Sequence, residues 1–213
     1  MSGILLAFAG AGTAAVPEIG AAYGGGFFAG QVSTAGTGVA DYNLVVGPAA
    51  SAQTVDLAWK TTNTTTAGTG SVINGSTNSS NMNNASHPSA QFCEAVSAGG
   101  FTDWYMPAKN ELEVCYYNLK PATTANSTGS GINANAVPAR ASNYTSGNPA
   151  RTSVAAFQSG GAEAFDSTRQ YWASSEYSAV YAWKQRLGNG QQYYATKVNT
   201  YLGGVRAIRK IAV

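Results

Sequence analysis

Three observations predict an α+β domain. Two stretches in the middle of the chain carry apolar residues at helical spacing. Long connections rich in Gly, Ser, Thr and Asn flank them. From Tyr171 onward the pattern changes to short alternating runs punctuated by turn residues.

Taken in order, residues 1–26 are nearly all Gly and Ala with isolated large apolar side chains, ending in Gly24-Gly25-Gly26. Alone, such a segment buries too little surface to offset the entropy of ordering its backbone. Yet Ile4, Leu5, Leu6 and Phe8 are too apolar for a free tail. The expectation is an extended peptide ordered in a groove of another protein or among copies of itself, with a loose terminus as the alternative. Residues 27–31 and 42–46 read as strands separated by a Ser/Thr/Gly turn, and residues 57–61 as a third. Residues 62–84 have the composition of a long surface loop. A helix then starts around His87-Pro88, with Ser86 placed to cap and Pro88 in the first turn. Phe92, Cys93 and Val96 form its apolar stripe, and Gly99-Gly100 ends it. The second helix follows Met106-Pro107, with Leu112, Cys115, Tyr116 and Leu119 inward and Pro121 closing it. Residues 123–149 return to loop composition. Residues 171–174, 182–187, 191–197 and 205–211 read as an antiparallel meander, with Gly188-Asn189-Gly190 as a turn.

Only 10% of the 213 residues are charged, against about 25% in an ordinary soluble domain. A surface of small neutral polar groups suits an extracellular or virion protein. The net charge of +2 argues against a nucleic-acid partner, which requires clustered Lys and Arg. From Val180 onward, however, the chain carries Lys184, Arg186, Lys197, Arg206, Arg209 and Lys210 and no carboxylate side chain. Two readings stand: a basic surface for an anionic ligand such as an acidic glycan, or solvated strand residues with Arg206 and Arg209 paired to acids such as Glu111 or Glu176. Cys93 and Cys115 have no metal-type spacing and exclude the disulfide-rich class, although a single bridge between them stays open. Residues 3–16 are apolar but too short to span a bilayer and have no basic residue before them, so no membrane insertion is expected. A weak signal peptide ending near Ala14-Ala15-Val16 is the alternative there.

The segment Gly99-Gly100-Phe101-Thr102-Asp103-Trp104-Tyr105-Met106-Pro107, followed by Glu111-Leu112, resembles the "GG-x-x-D-W-R-L-P-x-x-x-E-L" signature of the Lcl C-terminal domain family. Tyr171-Trp172-Ala173-Ser174-Ser175-Glu176, then Ala182-Trp183, Gly190 and Val205-Arg206-Ala207-Ile208-Arg209, is similar to that family's closing pattern. The likeness covers roughly residues 27–213. It departs at Tyr105, where the family prefers Arg and an internal ion pair would be lost. The resemblance implies a C-type-lectin-like fold with two helices and a terminal antiparallel β-meander over residues 27–213, preceded by the extended peptide of residues 1–26. It makes Trp104, Pro107, Glu111, Trp172, Trp183, Gly190 and Arg206 structural.

Relatives with the same closing pattern include retroelement-diversified proteins and phage tail and receptor-binding proteins. The likeness therefore implies display on a bacteriophage particle. Residues 1–26 would anchor to other virion proteins through Ile4, Leu5, Leu6 and Phe8. The outer strand faces would bind a host cell-surface glycan or protein through Tyr181, Lys184, Arg186, Gln192, Tyr193, Tyr194, Asn199 and Tyr201. Ala179, Val180, Gly188 and Thr196 would lie among them. Tyr gives rigid contact area, and Asn and Gln adapt their hydrogen bonds. The tyrosines alternatively fill gaps in the sheet or form a subunit contact. A homo-oligomer is expected, with a trimer favoured. A structural decoration protein without ligand, or a secreted bacterial adhesin, are the alternative functions.

Chemistry finds little footing in the sequence. The chain has one histidine, His87, beside Pro88 at a helix start, and no H-E-x-x-H, P-loop or G-x-S-x-G. Glu111 and Glu113, two apart on a helix, point to different faces and make a poor acid/base pair. No cysteine follows Cys115, which removes the late catalytic pair of the formylglycine-generating enzymes. Asn148-Pro149-Ala150 lacks the acid of a calcium-lectin loop. Calcium requires several hard oxygens, and no carboxylate side chain follows Glu176, so neither a metal nor another cofactor is expected at the display face, and no catalytic residue.

Overall fold

The computed structural model describes residues 15–201 and 203–213. The apolar positions Ile4, Leu5, Leu6 and Phe8 lie outside them. The fold is α+β, with four α-helices and mostly antiparallel sheets. The first sheet is built from β1 (Ala22–Tyr23), β2 (Gly26–Val32), β3 (Tyr42–Val46) and β10 (Ile208–Ala212) in that order, with β5 (Ala136–Val137) added to β2. The second runs β4 (Gln53–Val55), β9 (Gly203–Arg206), β6 (Gln170–Glu176), β7 (Tyr181–Arg186) and β8 (Gln192–Thr196). The β6-β7-β8 portion is the expected antiparallel meander. β9 instead pairs with β6 in parallel, so the meander ends at β8.

The helices are α1 (Ala49–Ala52), α2 (Gly75–Asn81), α3 (Pro88–Glu94) and α4 (Lys109–Leu119). Two more helices form than the sequence predicts. α3 and α4 lie where the apolar periodicity places them, although Ser86 does not cap α3: His87 stands at that position without a side-chain bond. α4 packs on β2 and buries Leu112, Cys115, Tyr116 and Leu119 in a core shared with Val32, Leu44 and Tyr171. A second core gathers Trp59, Trp104 and Trp172 with Met82, Cys93 and Val205. Each of these indoles donates its N–H, to Ala173, Phe101 and Leu57 carbonyls at 2.9, 3.1 and 3.0 Å. A buried Trp must satisfy that donor. Cys93 and Cys115 are free and sit in different cores, so the bridge left open above does not form.

The expected boundary at residue 26 needs correction. Ala22 and Tyr23 pair with Phe27 and Gly26, Gly20 N–H donates to Phe28 at 2.8 Å, and Arg209 donates to the Gly24 carbonyl at 2.8 Å. Residues 20–26 are therefore tied into the domain's first sheet. The expected strand at residues 57–61 is also displaced, because pairing with β9 falls on Gln53–Val55.

The segments that carry the family resemblance meet in space. Tyr105 and Ile208 exchange backbone hydrogen bonds of 2.8 and 2.9 Å. Ser174 N–H donates to the Pro107 carbonyl at 2.7 Å, and Lys109 N–H to Ser175 Oγ at 3.0 Å. Glu111 is fully buried. Its carboxylate accepts from the Tyr42 and Tyr105 hydroxyls, both at 2.9 Å, and from the Ala108 and Gly75 N–H groups at 2.8 and 3.1 Å. Tyr105 thus supplies a hydroxyl to Glu111 where the family would place an Arg. Burial raises the Glu111 carboxyl above the ordinary range, and the donors pull it back. At Gly190, φ is +73° and a Cβ would meet the Tyr116 ring at 2.2 Å, so only glycine fits that turn.

Both arginines are paired, but not to the acids expected. Arg206 Nη2 meets Glu163 at 2.8 Å, and Arg209 grips Asp103 with two bonds of 2.8 and 2.9 Å. Glu176 is taken by Lys197 at 2.7 Å, and Glu111 by hydroxyl and amide donors. Sequence spacing gave no means of choosing among acids brought close only by the fold.

Candidate functional site

Strand alternation divides β7 and β8 into two faces, and the cross-strand pairs Trp183↔Tyr194 and Lys184↔Tyr193 fix which residues share each. One face carries Tyr181, Trp183 and Tyr194; the other carries Ala182, Lys184, Arg186 and Tyr193. The sequence reading put Trp183 in the core and Lys184 on display. The structure reverses the second and bears out the first only in part, since Trp183 packs against the edge of the first core. Lys184 is 1% exposed, with its ammonium 4.0 Å from the Trp172 ring centre, whereas Trp183 is only half-buried. A lysine is ordinarily a surface residue, but here its long stem lies along an aromatic face. The ammonium has no hydrogen-bond acceptor, and burial pushes its pKa down to about 8.

The predicted ligand residues therefore do not form one patch. Tyr181, Gln192 and Tyr194 come together on the outer face. Arg186 lies on the opposite face, 5.5 Å from the Tyr193 ring centre, and with Tyr201 it lines a separate polar cleft of about 420 Å³. Asn199 accepts the Tyr201 N–H at 2.7 Å and stabilises that turn. Tyr193 is half-buried with its hydroxyl unpartnered, and Lys184 is withdrawn altogether.

On the outer face the side chains make a continuous aromatic platform. Tyr177 and Tyr194 stack at 4.1 Å with their planes 4° apart. Trp183 meets Tyr177 edge-on at 5.3 Å and Tyr194 at 6.1 Å, and Tyr181 tilts against Tyr194 at 5.3 Å. Tyr177 is 49% exposed and Tyr194 46%. Ring pairs in offset or edge-on geometry hold one another rigid without burial. Lys109, from the first turn of α4, places its ammonium 4.9 Å from the Trp183 ring centre. Beyond Trp183 the platform falls into a cleft of about 210 Å³ lined by Lys109, Ser130, Gly131, Ile132, Asn143 and Gln192. Gly131, at φ +119°, would drive a Cβ into Tyr144 at 2.4 Å, which fixes the wall of that cleft.

Tyr177, Lys109 and Asn143 were not assigned to the site from sequence. They come from a turn, a helix start and a loop, so no strand period includes them. Tyr177 alone had a signal, as an aromatic directly after the quoted Ser-Ser-Glu.

The remaining polar groups serve the frame. Glu111 and Glu113 point apart, as their spacing requires. Glu113 is bound by Arg140, by the Tyr144 hydroxyl at 2.7 Å and by the Asn133 amide at 2.6 Å. His87 joins Asn84 and Thr66, each at 2.9 Å, in the order orienter, base, hydroxyl. That order is the one nucleophilic catalysis uses. However, Lys60 also donates to Thr66 Oγ1 at 2.9 Å, and neither cleft described above is lined by Thr66. Burial, with Lys60 and Lys197 nearby, pushes the His87 pKa down to about 4. Lys60 and Lys197 tie down the carbonyls of Thr64 and Thr65, so the group pins the 60–69 loop. Among the described residues no three His, Cys, Asp or Glu side chains cluster as metal ligands do, and no helix is long and apolar enough to cross a membrane.

The arrangement so defines an aromatic surface with a donor-lined cleft beside it. In comparison with known proteins, the chain matches no family model and no curated protein, and the likeness to the Lcl C-terminal domains rests on the residues quoted above.

Proposed function

We propose that this chain is the C-type-lectin-like display domain of a bacteriophage virion protein, of the tail-fibre or receptor-binding type, and that it binds the host cell surface without catalysis. The observation that carries the reading is the platform of Tyr177, Tyr181, Trp183 and Tyr194. Three exposed tyrosine rings stand at the surface of the sheet around a half-buried indole that seats them on the first core. Tyr and Trp are the side chains that concentrate binding energy in recognition surfaces. The virion setting is supported by the resemblance. The meeting of the resembling segments around Tyr105, Ile208, Pro107 and Ser174 is what structural signatures would require. Anchoring to other virion proteins is assigned to the peptide that includes Ile4, Leu5, Leu6 and Phe8.

The test is competition. Purified chain added to host cells should block adsorption of the phage, and antibody to the chain should decorate intact particles. Undecorated particles, or adsorption unaffected by saturating chain, would remove the proposal.

A further inference from the structure

The cleft beside Trp183 has features that the general reading of the outer face does not use. Its lining is rich in hydrogen-bond donors and holds no carboxylate. Gln192 Nε2 is buried there and has no partner, although the Gln192 backbone N–H is satisfied by Ser130 Oγ at 2.9 Å. The Lys109 ammonium has no hydrogen-bond acceptor among the described residues and lies over the indole. Asn143 is exposed at the rim. A buried amide donor left unpaired is costly, and an arriving acceptor would relieve that cost. Gln185 Oε1, across the strand pair on the same face, is the other unpaired amide atom beside it.

The occupant must match an aromatic face on one side and amide or ammonium donors on the other. Pyranose rings do this, since their C–H faces lie on aromatic rings while their substituents reach polar walls. Arginine, the side chain whose planar fork grips carboxylate in two bonds, is absent from the lining. The unpaired donors are instead one neutral amide and one ammonium. An acetamido group supplies their counterpart: a strong neutral acceptor, a donor of its own for Asn143, and a methyl that packs on indole.

We propose that this cleft is a subsite for one N-acetylated pyranose unit of a surface glycan, with its ring against Trp183 and its acetamido carbonyl accepting from Gln192 and Lys109. The inference rests on the outer face being the binding surface.

The experiment is binding of the full chain to matched oligosaccharides in the gluco and galacto series: N-acetylhexosamine, free hexosamine, plain hexose and hexuronate. At least one N-acetylated series should bind about tenfold more tightly than its plain hexose. Gln192→Leu should bring the N-acetylated ligand down to the affinity of the plain hexose at an unchanged thermal midpoint, and Asn143→Ala, at an exposed position, should weaken the N-acetylated ligand. Equal binding of hexose, or preference for hexuronate, would overturn the subsite. So would binding to host cells with no N-acetylated ligand recognised, which leaves the surface reading intact. Failure to bind both cells and glycans would sink that reading and the subsite with it.

Discussion

Replacing Lys184 with Met should stabilise the protein, which is the reverse of what a displayed lysine would do. Lys184 is 1% exposed, its ammonium lacks an acceptor, and its attraction to Trp172 is the visible compensation. A fall in pKa from the ordinary 10.5 to about 8 amounts to about 3 kcal/mol of disfavoured charge, at about 1.4 kcal/mol per tenfold change in proton affinity. The cation–π contact returns about 1–2 kcal/mol. Met fills the same space along the ring without a charge. The variant should therefore gain about 1–2 kcal/mol at pH 7, a rise of a few degrees in thermal midpoint for a chain of this size. The sign of the pH dependence follows from the depressed pKa. Stability due to Lys184 is present above 10.5, where the amine is neutral in both states, and is lost as pH falls towards 8. The gap between variant and parent should accordingly close as pH rises from about 8 to 10.5. Paired thermal melts across that range provide the assay. A variant less stable than its parent at pH 7, or a gap constant from pH 8 to 10.5, would refute the placement of this side chain.

Glu111→Ala should destabilise by about 3–5 kcal/mol, because it strands two hydroxyl and two amide donors in the core; denaturant melts measure it, and a loss under 1 kcal/mol would contradict the network. His87 is held neutral in the fold with its pKa at about 4. Its contribution is complete above pH 6.5 and is lost between there and 4, up to about 3 kcal/mol. Comparing parent with His87→Gln over that window should show the parent losing stability faster. Removing residues 1–14 should leave the domain folded, whereas removing residues 1–26 should lower the midpoint by deleting β1 and the Arg209–Gly24 bond; equal midpoints for the two truncations would put the boundary back at residue 26.

Elements with strong apolar periodicity were legible in the sequence: α3, α4 and the strands β2, β3, β6, β7 and β8 fall close to where period and punctuation place them. α2 was not, because Gly75-Ser-Thr-Asn-Ser-Ser-Asn81 has poor helix formers and no apolar stripe. It is held instead by tertiary bonds, such as Asn78 to the Ser71 carbonyl at 2.6 Å and Met106 N–H to Ser79 Oγ at 3.0 Å. Residues 205–211 read as one strand but belong to two, since Ala207 exchanges its bonds with Ala52 and Gly47 and hands the chain from one sheet to the other. Alternation along β7 was read correctly, with Trp183 opposite Lys184. The display of Lys184 was misjudged, because alternation does not say which face is covered and residue type pointed the wrong way; the face of Trp183 and Gln185 is partly covered as well. The site was legible only in part for the same reason. Its strand tyrosines stood out, while its helix and loop members met them only through the fold.

The most direct measurement is host-cell adsorption by particles carrying Tyr177→Ser, Tyr181→Ser and Tyr194→Ser together, all at exposed positions of the outer face. Particles carrying Arg186→Ser and Tyr201→Ser, residues of the separate cleft, serve as the comparison. Both sets should assemble and melt like the parent. The account predicts that the first set loses adsorption and the second retains it. Normal adsorption by the triple variant, with composition and folding verified, would contradict the claim that the aromatic platform is the recognition surface.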